Sequence, residues 1–537
     1  MVTMGVRRQA RPHRWTALIA AAVASLLSAS YAASGSAAAA DTPPPQPPPQ
    51  LTQAKVDDAV GALDRVIQDG MRKTGVPGVA VAVVYKDKVV YLKGFGERQV
   101  GQSGAVGPDT VFELASLSKP LASTVVAGAV GDKTIGWDDP VARQLPRFAL
   151  KDPWVTEHVT VADLFSHRSG LPDHSGDLLE DLGFDRTYIL EHLKYEPLSP
   201  FRASYAYTNF GVTAAGQAVA NANDTTWEKL AEDTLYDPAG MNSTSSRFTD
   251  FDQAKNKAVT HVKGTDGSWE AKSVRDADAQ SPAGGASSTA RDMATWMRLQ
   301  LANGKLGGEQ IIPADPLERT HLPEIVSTPP RAPAGRTGFY GLGWNVSYDD
   351  QGRLRLSHSG AFALGANTNV SLLPGEQLGI VVLTNGAPVG LADSVALDFF
   401  DTAQYGRPTT DWLTLAAQLY QQQEEAGRSP TDYTKPPANA AGARSDDTYT
   451  GTYDNDFYGP LTVTAAKSGE LTMSLGPEPM TFRLTHFDGD TYSFETVGEN
   501  ATGLSGVTFR GASNGAKAGK VTVEAFDENG LGTFTRP

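Results

Sequence analysis

In FELASLSKPLAST, residues 112–124, Ser116 and Lys119 stand three apart in a run of small and apolar side chains. A serine hydroxyl is a weak nucleophile until a neighbouring base takes its proton. On a helix, a lysine three residues on lies one turn away on the same face. Burial lowers the pKa of a lysine, so that its neutral form can accept that proton. A serine at a helix start also has unpaired backbone N–H groups nearby, suited to a developing oxyanion. Pro120 is tolerated there because few helix bonds have formed by that point. A second reading has Ser116 capping a helix and Lys119 reaching solvent. No other serine in the chain is followed three residues later by lysine, but the spacing alone leaves both readings open.

Two further stretches carry polar residues of the same kind. ASYAYTNFG, 203–211, contains Tyr207-Thr208-Asn209, and LSHSGAFALGANT, 356–368, contains His358-Ser359-Gly360. Taken singly, the first reads as a loop tyrosine beside a turn asparagine. In this order, Ser116–Lys119, Tyr207–Asn209 and His358–Gly360 resemble the Ser-x-x-Lys, Tyr-x-Asn and Lys/His-x-Gly motifs of the serine β-lactamase and penicillin-binding-protein superfamily. The likeness is strongest to its class C-like branch of secreted esterases and D-aminopeptidases. VTVADLFSHRSGLPD (159–173), LYDPAGM (235–241) and YGLGWNV (340–346) resemble further blocks of that family. The resemblance runs over about 53–400.

The resemblance implies an acyl-enzyme at Ser116, with Lys119 as the base and Tyr207 relaying protons. Asn209 would orient Lys119 or the substrate amide, and the N–H groups of Ser116 and Ala361 would form the oxyanion hole beside Gly360. His358 stands where many relatives have lysine. Histidine is only partly charged at neutral pH, so carboxylate-bearing substrates should be held less firmly than esters, amides or peptides without that group. A hydrogen-bonded strand histidine is the other reading of His358. A β-lactamase, a D,D-carboxypeptidase and a non-catalytic penicillin-binding-type sensor are the alternative functions. His167 is expected to be structural, and Tyr340 and Trp344 either line a cleft or fill a core.

Elements must bring these segments together. Val56, Val60, Leu63, Ile67 and Met71 recur at helical spacing and predict an amphipathic helix ended by Gly75-Val76-Pro77-Gly78. Residues 79–96 predict a hairpin turning at Lys86-Asp87-Lys88, and 368–386 a second one turning at Pro374-Gly375-Glu376. Strands at both ends of a helical middle predict an α+β domain with an antiparallel sheet drawn from both ends of the segment. Residues 410–427 predict a helix and 435–447 a linker. Short alternating runs at 461–465, 470–475, 491–496, 507–511 and 520–526 then predict a small all-β barrel or sandwich. The run beginning TGTYDNDFYGPLTV resembles the lipocalin-like domain that follows some of these hydrolases. The expected organisation is a signal peptide at 1–40, a Pro-rich linker at 41–52, the hydrolase domain at 53–405, a helix and linker at 406–445, and the lipocalin-like β-domain at 446–537.

Bulk properties bound the partners. The 537 residues carry a net charge of −15, which argues against a nucleic-acid binder. There is no cysteine, hence no disulfide framework and no thiolate chemistry. The nine histidines show no metal-ligand spacing, so neither a metal nor a cofactor is expected. Arg7, Arg8, Arg11 and Arg14, an apolar run from Trp15 to Leu27, and small residues at 36–40 read as an export signal. The apolar run is short for a membrane span. A secreted protein acting on a small-molecule or peptide substrate is therefore expected, with oligomerisation through the β-domain open.

Overall fold

The computed structural model describes residues 51–272, 274–333, 335–512 and 516–537. The expected signal peptide and all of the Pro-rich linker before Leu51 lie outside the described residues. Helix α1 (Gln53–Thr74) starts at Thr52, whose side chain accepts from Lys55 N at 3.3 Å, and ends at Gly75 with φ 76°. It buries Val56, Leu63 and Ile67, three of the predicted face. Strands β1 (Gly78–Tyr85) and β2 (Lys88–Gly96) follow. They turn through Lys86 and Asp87 at φ 49° and 61°, the left-handed pair that suits the twist of a two-residue hairpin.

The helical middle supplies α2 (Ser118–Gly131), α3 (Asn209–Ala222) and α4 (Ala290–Leu301). The sheet is completed by β3 (Ile325–Thr328), β4 (Gly338–Tyr340), β5 (Asn345–Tyr348), β6 (Leu354–Phe362), β7 (Ala366–Leu373) and β8 (Leu378–Thr384). Its order is β2-β1-β8-β7-β6-β5-β4-β3, antiparallel throughout. β1 pairs with β8 from Val79↔Thr384 to Tyr85↔Leu378, so the two ends of the domain meet inside the sheet. Every residue of β1 is buried, and strand alternation divides them between two cores. Val79, Val81 and Val83 pack with α1 and with α5 (Leu391–Tyr405), whereas Ala80, Ala82 and Val84 join the core of the helical middle. The fold is the α+β arrangement expected, with helices on both faces of the sheet.

Helix α6 (Trp412–Gly427) leads to a second sheet of eight strands. These are β9 (Gly451–Tyr453), β10 (Leu461–Ala465), β11 (Leu471–Leu475), β12 (Met480–Asp488), β13 (Thr491–Glu495), β14 (Leu504–Arg510), β15 (Lys520–Val523) and β16 (Thr533–Thr535). They pair in sequence order, and an Asp454–Thr535 bridge joins the two ends, nearly closing a barrel. Closure removes the exposed strand edges that an open sheet would present. Tyr453, Met473, Phe509 and Phe534 fill the interior. Outside, hydroxyl pairs such as Thr464–Thr472 at 2.9 Å and Ser474–Thr481 at 3.0 Å link neighbouring strands. Residues 524–526, expected to extend a strand, form a 3₁₀ turn instead. No helix of the described residues is long and apolar enough to cross a membrane.

Candidate active site

Ser116 sits in a 3₁₀ turn, Ala115–Leu117, just before α2. Ala115 takes φ 49°, a conformation that costs energy for any residue with a Cβ and must be held by its surroundings. The holding groups are visible. Ser118 Oγ donates to Ala115 O at 2.7 Å and accepts from Ala286 N at 2.9 Å. Thr368 Oγ1 of β7 donates to Leu114 O at 2.8 Å. Gly360 of β6 lies against the same turn, where an added Cβ would stand 2.2 Å from Leu114 O and 3.1 Å from Ser116 N. The glycine of His-Ser-Gly is thus required by close approach of strand and turn.

Lys119 Nζ, fully buried, lies 3.0 Å from Ser116 Oγ, 2.7 Å from Asn209 Oδ1 and 3.0 Å from Ala283 O. Burial brings its pKa down to about 7, helped by the Arg275 charge and opposed by Asp177. Asn209 Oδ1 and Ala283 O can only accept. A neutral lysine therefore spends its two N–H groups on them and turns its lone pair to the Ser116 hydroxyl. Tyr207 Oη donates to Ser116 Oγ at 2.8 Å, and its ring lies 4.5 Å from Lys119 Nζ. Burial lifts the Tyr207 pKa well above the ordinary phenol value, so it stands as a neutral donor.

The Tyr207 segment is clamped between two histidines, each at positive φ: 57° for His167 and 56° for His174. His167 Nδ1 accepts from Thr208 N at 3.1 Å and its carbonyl accepts from Ala206 N at 3.0 Å, while His174 N donates to Tyr207 O at 2.8 Å. Burial and the nearby Lys119 hold His167 neutral, which fits a structural part for it. Asn209 Nδ2 donates to Asp177 Oδ2 at 2.8 Å, which fixes the amide with its oxygen toward Lys119. The same Asp177 oxygen meets His174 Nδ1 at 2.8 Å. Burial disfavours charge on His174, but its side chain is half-exposed and Asp177 outweighs the effect, so its pKa rises to about 9. His174 and Asp177, one and four residues after Leu171-Pro172-Asp173, were not among the residues expected at the site. Two titratable residues three apart after that turn were the available signal.

His358 is 4% exposed. Its Nδ1 meets Ser359 O at 2.8 Å and its Nε2 meets Tyr340 Oη at 2.8 Å. Burial, with Lys119 nearby, pulls its pKa down to about 3. The side chain is therefore neutral rather than partly charged, and both nitrogens are engaged within the protein. Tyr340 and Trp344 are fully buried; Trp344 stacks on Trp296 with centroids 5.5 Å apart, so both belong to the core. Ala361, next along β6, is exposed. Among the described residues no group of three or more His, Cys, Asp or Glu is placed to hold a metal ion.

A strand carrying Gly360 pressed on a strained serine turn, with a buried lysine behind it, belongs to a known class. Residues 63–398 match the family Beta-lactamase, and the chain belongs to that family; it is a β-lactamase-family hydrolase. Residues 435–531 match a domain of unknown function, DUF3471. The chain is 25% identical over 328 residues to beta-lactamase-like protein 2 of Dictyostelium discoideum, covering 59% of this chain and 58% of that one. It is 24% identical over 470 residues to the unguisins hydrolase of Aspergillus violaceofuscus, covering 81% and 82%. Among solved structures, the octameric penicillin-binding protein homologue from Pyrococcus abyssi shares the fold at TM-score 0.55 and 18% identity, over 87% of this chain and 98% of that chain.

Proposed function

We propose that the protein is a secreted serine hydrolase that forms an acyl-enzyme at Ser116 and acts on esters, amides or peptides. The observation that carries this is the set of three neutral hydrogen-bonding partners around a buried Lys119, one of them the Ser116 hydroxyl. Neutral Lys119 takes the hydroxyl proton as Oγ bonds to the carbonyl carbon. The carbonyl π pair moves to oxygen, where the N–H groups of Ser116 and Ala361 receive it. When the tetrahedral adduct collapses, the leaving group departs with a proton from Tyr207, which the Lys119 ammonium replaces. Water then attacks the acyl carbon, giving its proton to Tyr207 as Tyr207 passes its own to Lys119, and the resulting ammonium protonates Ser116 Oγ as the C–O bond to the serine breaks and the acid leaves.

The neutral His358 supports substrates without a carboxylate at that side of the site, because a neutral imidazole gives such a group no counter-charge. A fluorophosphonate should label Ser116, seen as a mass shift on its peptide. Ser116→Ala should remove the label and lower kcat/KM for a simple ester by about a thousandfold or more. Full activity in that variant overturns the reading. A panel of an ester, nitrocefin, a D-amino-acid amide and an acyl-D-Ala-D-Ala peptide separates the substrate classes.

A further inference from the structure

A cavity of about 1110 Å³ opens beside the nucleophile, between the loop after Leu171, the end of β6, α6 and the rim of the barrel. That is room for a drug-sized ligand. Two lining residues tie it to the Ser116 site: Ala361 follows Gly360 on β6, and Asp177 holds Asn209. Its walls are strongly acidic: Asp173, Asp177, Asp181, Glu196, Glu499 and Glu528 line it, against His174, Lys263 and Arg428. The barrel adds aromatic side chains, Phe457, Tyr458, Phe494 and Phe526.

Their partners sort these acids. Glu499 is spent on Arg275 at 3.1 Å and on the N–H groups of Ala363 and Leu364 at 2.7 and 3.2 Å. Asp181 is spent on the backbone N–H groups of Glu499 and Asn500, both at 2.9 Å. Glu196 and Asp177 differ. Glu196 is 2% exposed and accepts from Asn529 Nδ2 at 3.0 Å and from the Gly176 backbone N–H, with no cation of the described residues in ion-pair reach. Asp177 is 3% exposed; its Oδ2 is engaged by Asn209 and His174, while its Oδ1 has no hydrogen-bond partner and is free to meet a second cation. Burial holds the Glu196 proton up to about 7, with Glu528 and Asp177 adding to the effect. A buried carboxylate without a counter-charge, as at Glu196, is costly. Set beside aromatic side chains in a cavity, it has the composition that recognises an organic ammonium, with the acid meeting the charge and the rings meeting its polarised C–H groups.

We infer that this cavity binds a cationic group of the substrate, a primary or quaternary ammonium seated between Glu196, Asp177 and the aromatic rim of the barrel while the scissile carbonyl lies at Ser116. The inference rests on the reading of Ser116 as nucleophile for its substrate half, but the cation site has a test of its own. In the Ser116→Ala protein, calorimetry should show benzyltrimethylammonium binding at least about tenfold more tightly than neutral benzyl alcohol. Glu196→Gln, a near-isosteric change, should remove most of that difference. Equal affinities for the cation and the alcohol overturn the proposal without any variant at Glu196. In the active enzyme, acetylcholine and its uncharged carbon isostere, 3,3-dimethylbutyl acetate, give a kcat/KM ratio from which intrinsic reactivity cancels between variants. Glu196→Gln should lower that ratio about tenfold, and a ratio it leaves unmoved overturns the proposal. Should neither ester be hydrolysed while cation-selective binding persists, the nucleophile reading falls and the cation site stands. Hydrolysis of both esters without cation selectivity has the opposite meaning.

Discussion

Lys119 and Arg275 are both buried cations, at 0% and 7% exposure, and they end in opposite states. The hydrogen-bond partners of Lys119 are a hydroxyl, an amide oxygen and a carbonyl, all neutral. Its nearby acid, Asp177, acts from behind Asn209. Desolvation therefore wins, and the pKa falls to about 7. Arg275 donates to Glu180 at 2.7 Å, meets Glu499 at 3.1 Å and lies 4.3 Å over the Phe362 ring. There the carboxylates outweigh burial and the charge is held. A guanidinium keeps its proton in either setting; for a buried amine such as Lys119, whose ordinary pKa lies nearer neutrality, the charge of its partners decides whether it titrates. The two regions are also coupled, since the Arg275 charge helps to lower the Lys119 pKa.

The largest test of the contrast is at the lysine. In the proposed mechanism only its neutral form accepts the Ser116 proton, so kcat/KM should be low below pH 6, rise through about 7, and level off near pH 8. Tyr207 stays protonated well beyond that range and adds no alkaline limb inside it. Lys119→Met keeps the bulk and removes the base. A loss of about a thousandfold or more is expected, together with disappearance of the limb near pH 7. A flat profile in the unmodified protein means that Lys119 does not titrate there, and the comparison with Arg275 breaks.

What the sequence made legible follows from how each part is built. Ser116 and Lys119 are one helical turn apart, so their meeting needed only local geometry. Helix α1 and the hairpins β1–β2 and β7–β8 likewise show in local period and turn residues. Strands β3, β4 and β5 are three or four residues long with weak alternation, and nothing marked them. β12 does alternate, Met480, Phe482 and Leu484 against Thr481, Arg483 and Thr485, and loses the pattern only at His486-Phe487, yet it was not singled out. The Arg275–Glu499 pair joins residues more than two hundred positions apart, from the helical middle to the barrel, and no spacing rule reaches that far. Tertiary packing also hid the state of His358: its residue type set an ordinary pKa, and burial, with Lys119 nearby, changed that.

The second test is at Glu499, the barrel's hold on the β6–β7 turn. Glu499→Ala leaves the N–H groups of Ala363 and Leu364 without their acceptor and strips Arg275 of one carboxylate. Chemical denaturation should show a loss of about 3 kcal/mol, the cost of breaking a buried ion pair from one side. Because Ala361 lies two residues before Ala363, kcat should fall about tenfold through a displaced oxyanion donor, with KM moving less. Arg275, less compensated, should push the Lys119 limb to lower pH. Glu499→Gln keeps an acceptor for both N–H groups and should restore most of kcat while leaving the limb displaced. Loss of stability with kcat and limb both unmoved would reduce Glu499 to a structural tie.

The smallest effect is the most discriminating. His358→Lys places a lysine on β6 among neutral partners, Tyr340 Oη and Ser359 O, with Lys119 of α2 near. By the rule drawn from Lys119, that side chain should be driven largely neutral until a substrate brings its own carboxylate. The kcat/KM ratio of an acyl-D-Ala-D-Ala peptide to a neutral ester should therefore rise only about threefold, the worth of a partly screened ion pair. An unchanged ratio would sink the inference that position 358 sorts substrates by their carboxylate. A gain of a hundredfold would mean the new lysine holds its charge among neutral partners, and then burial is not what sets the pKa of Lys119 either.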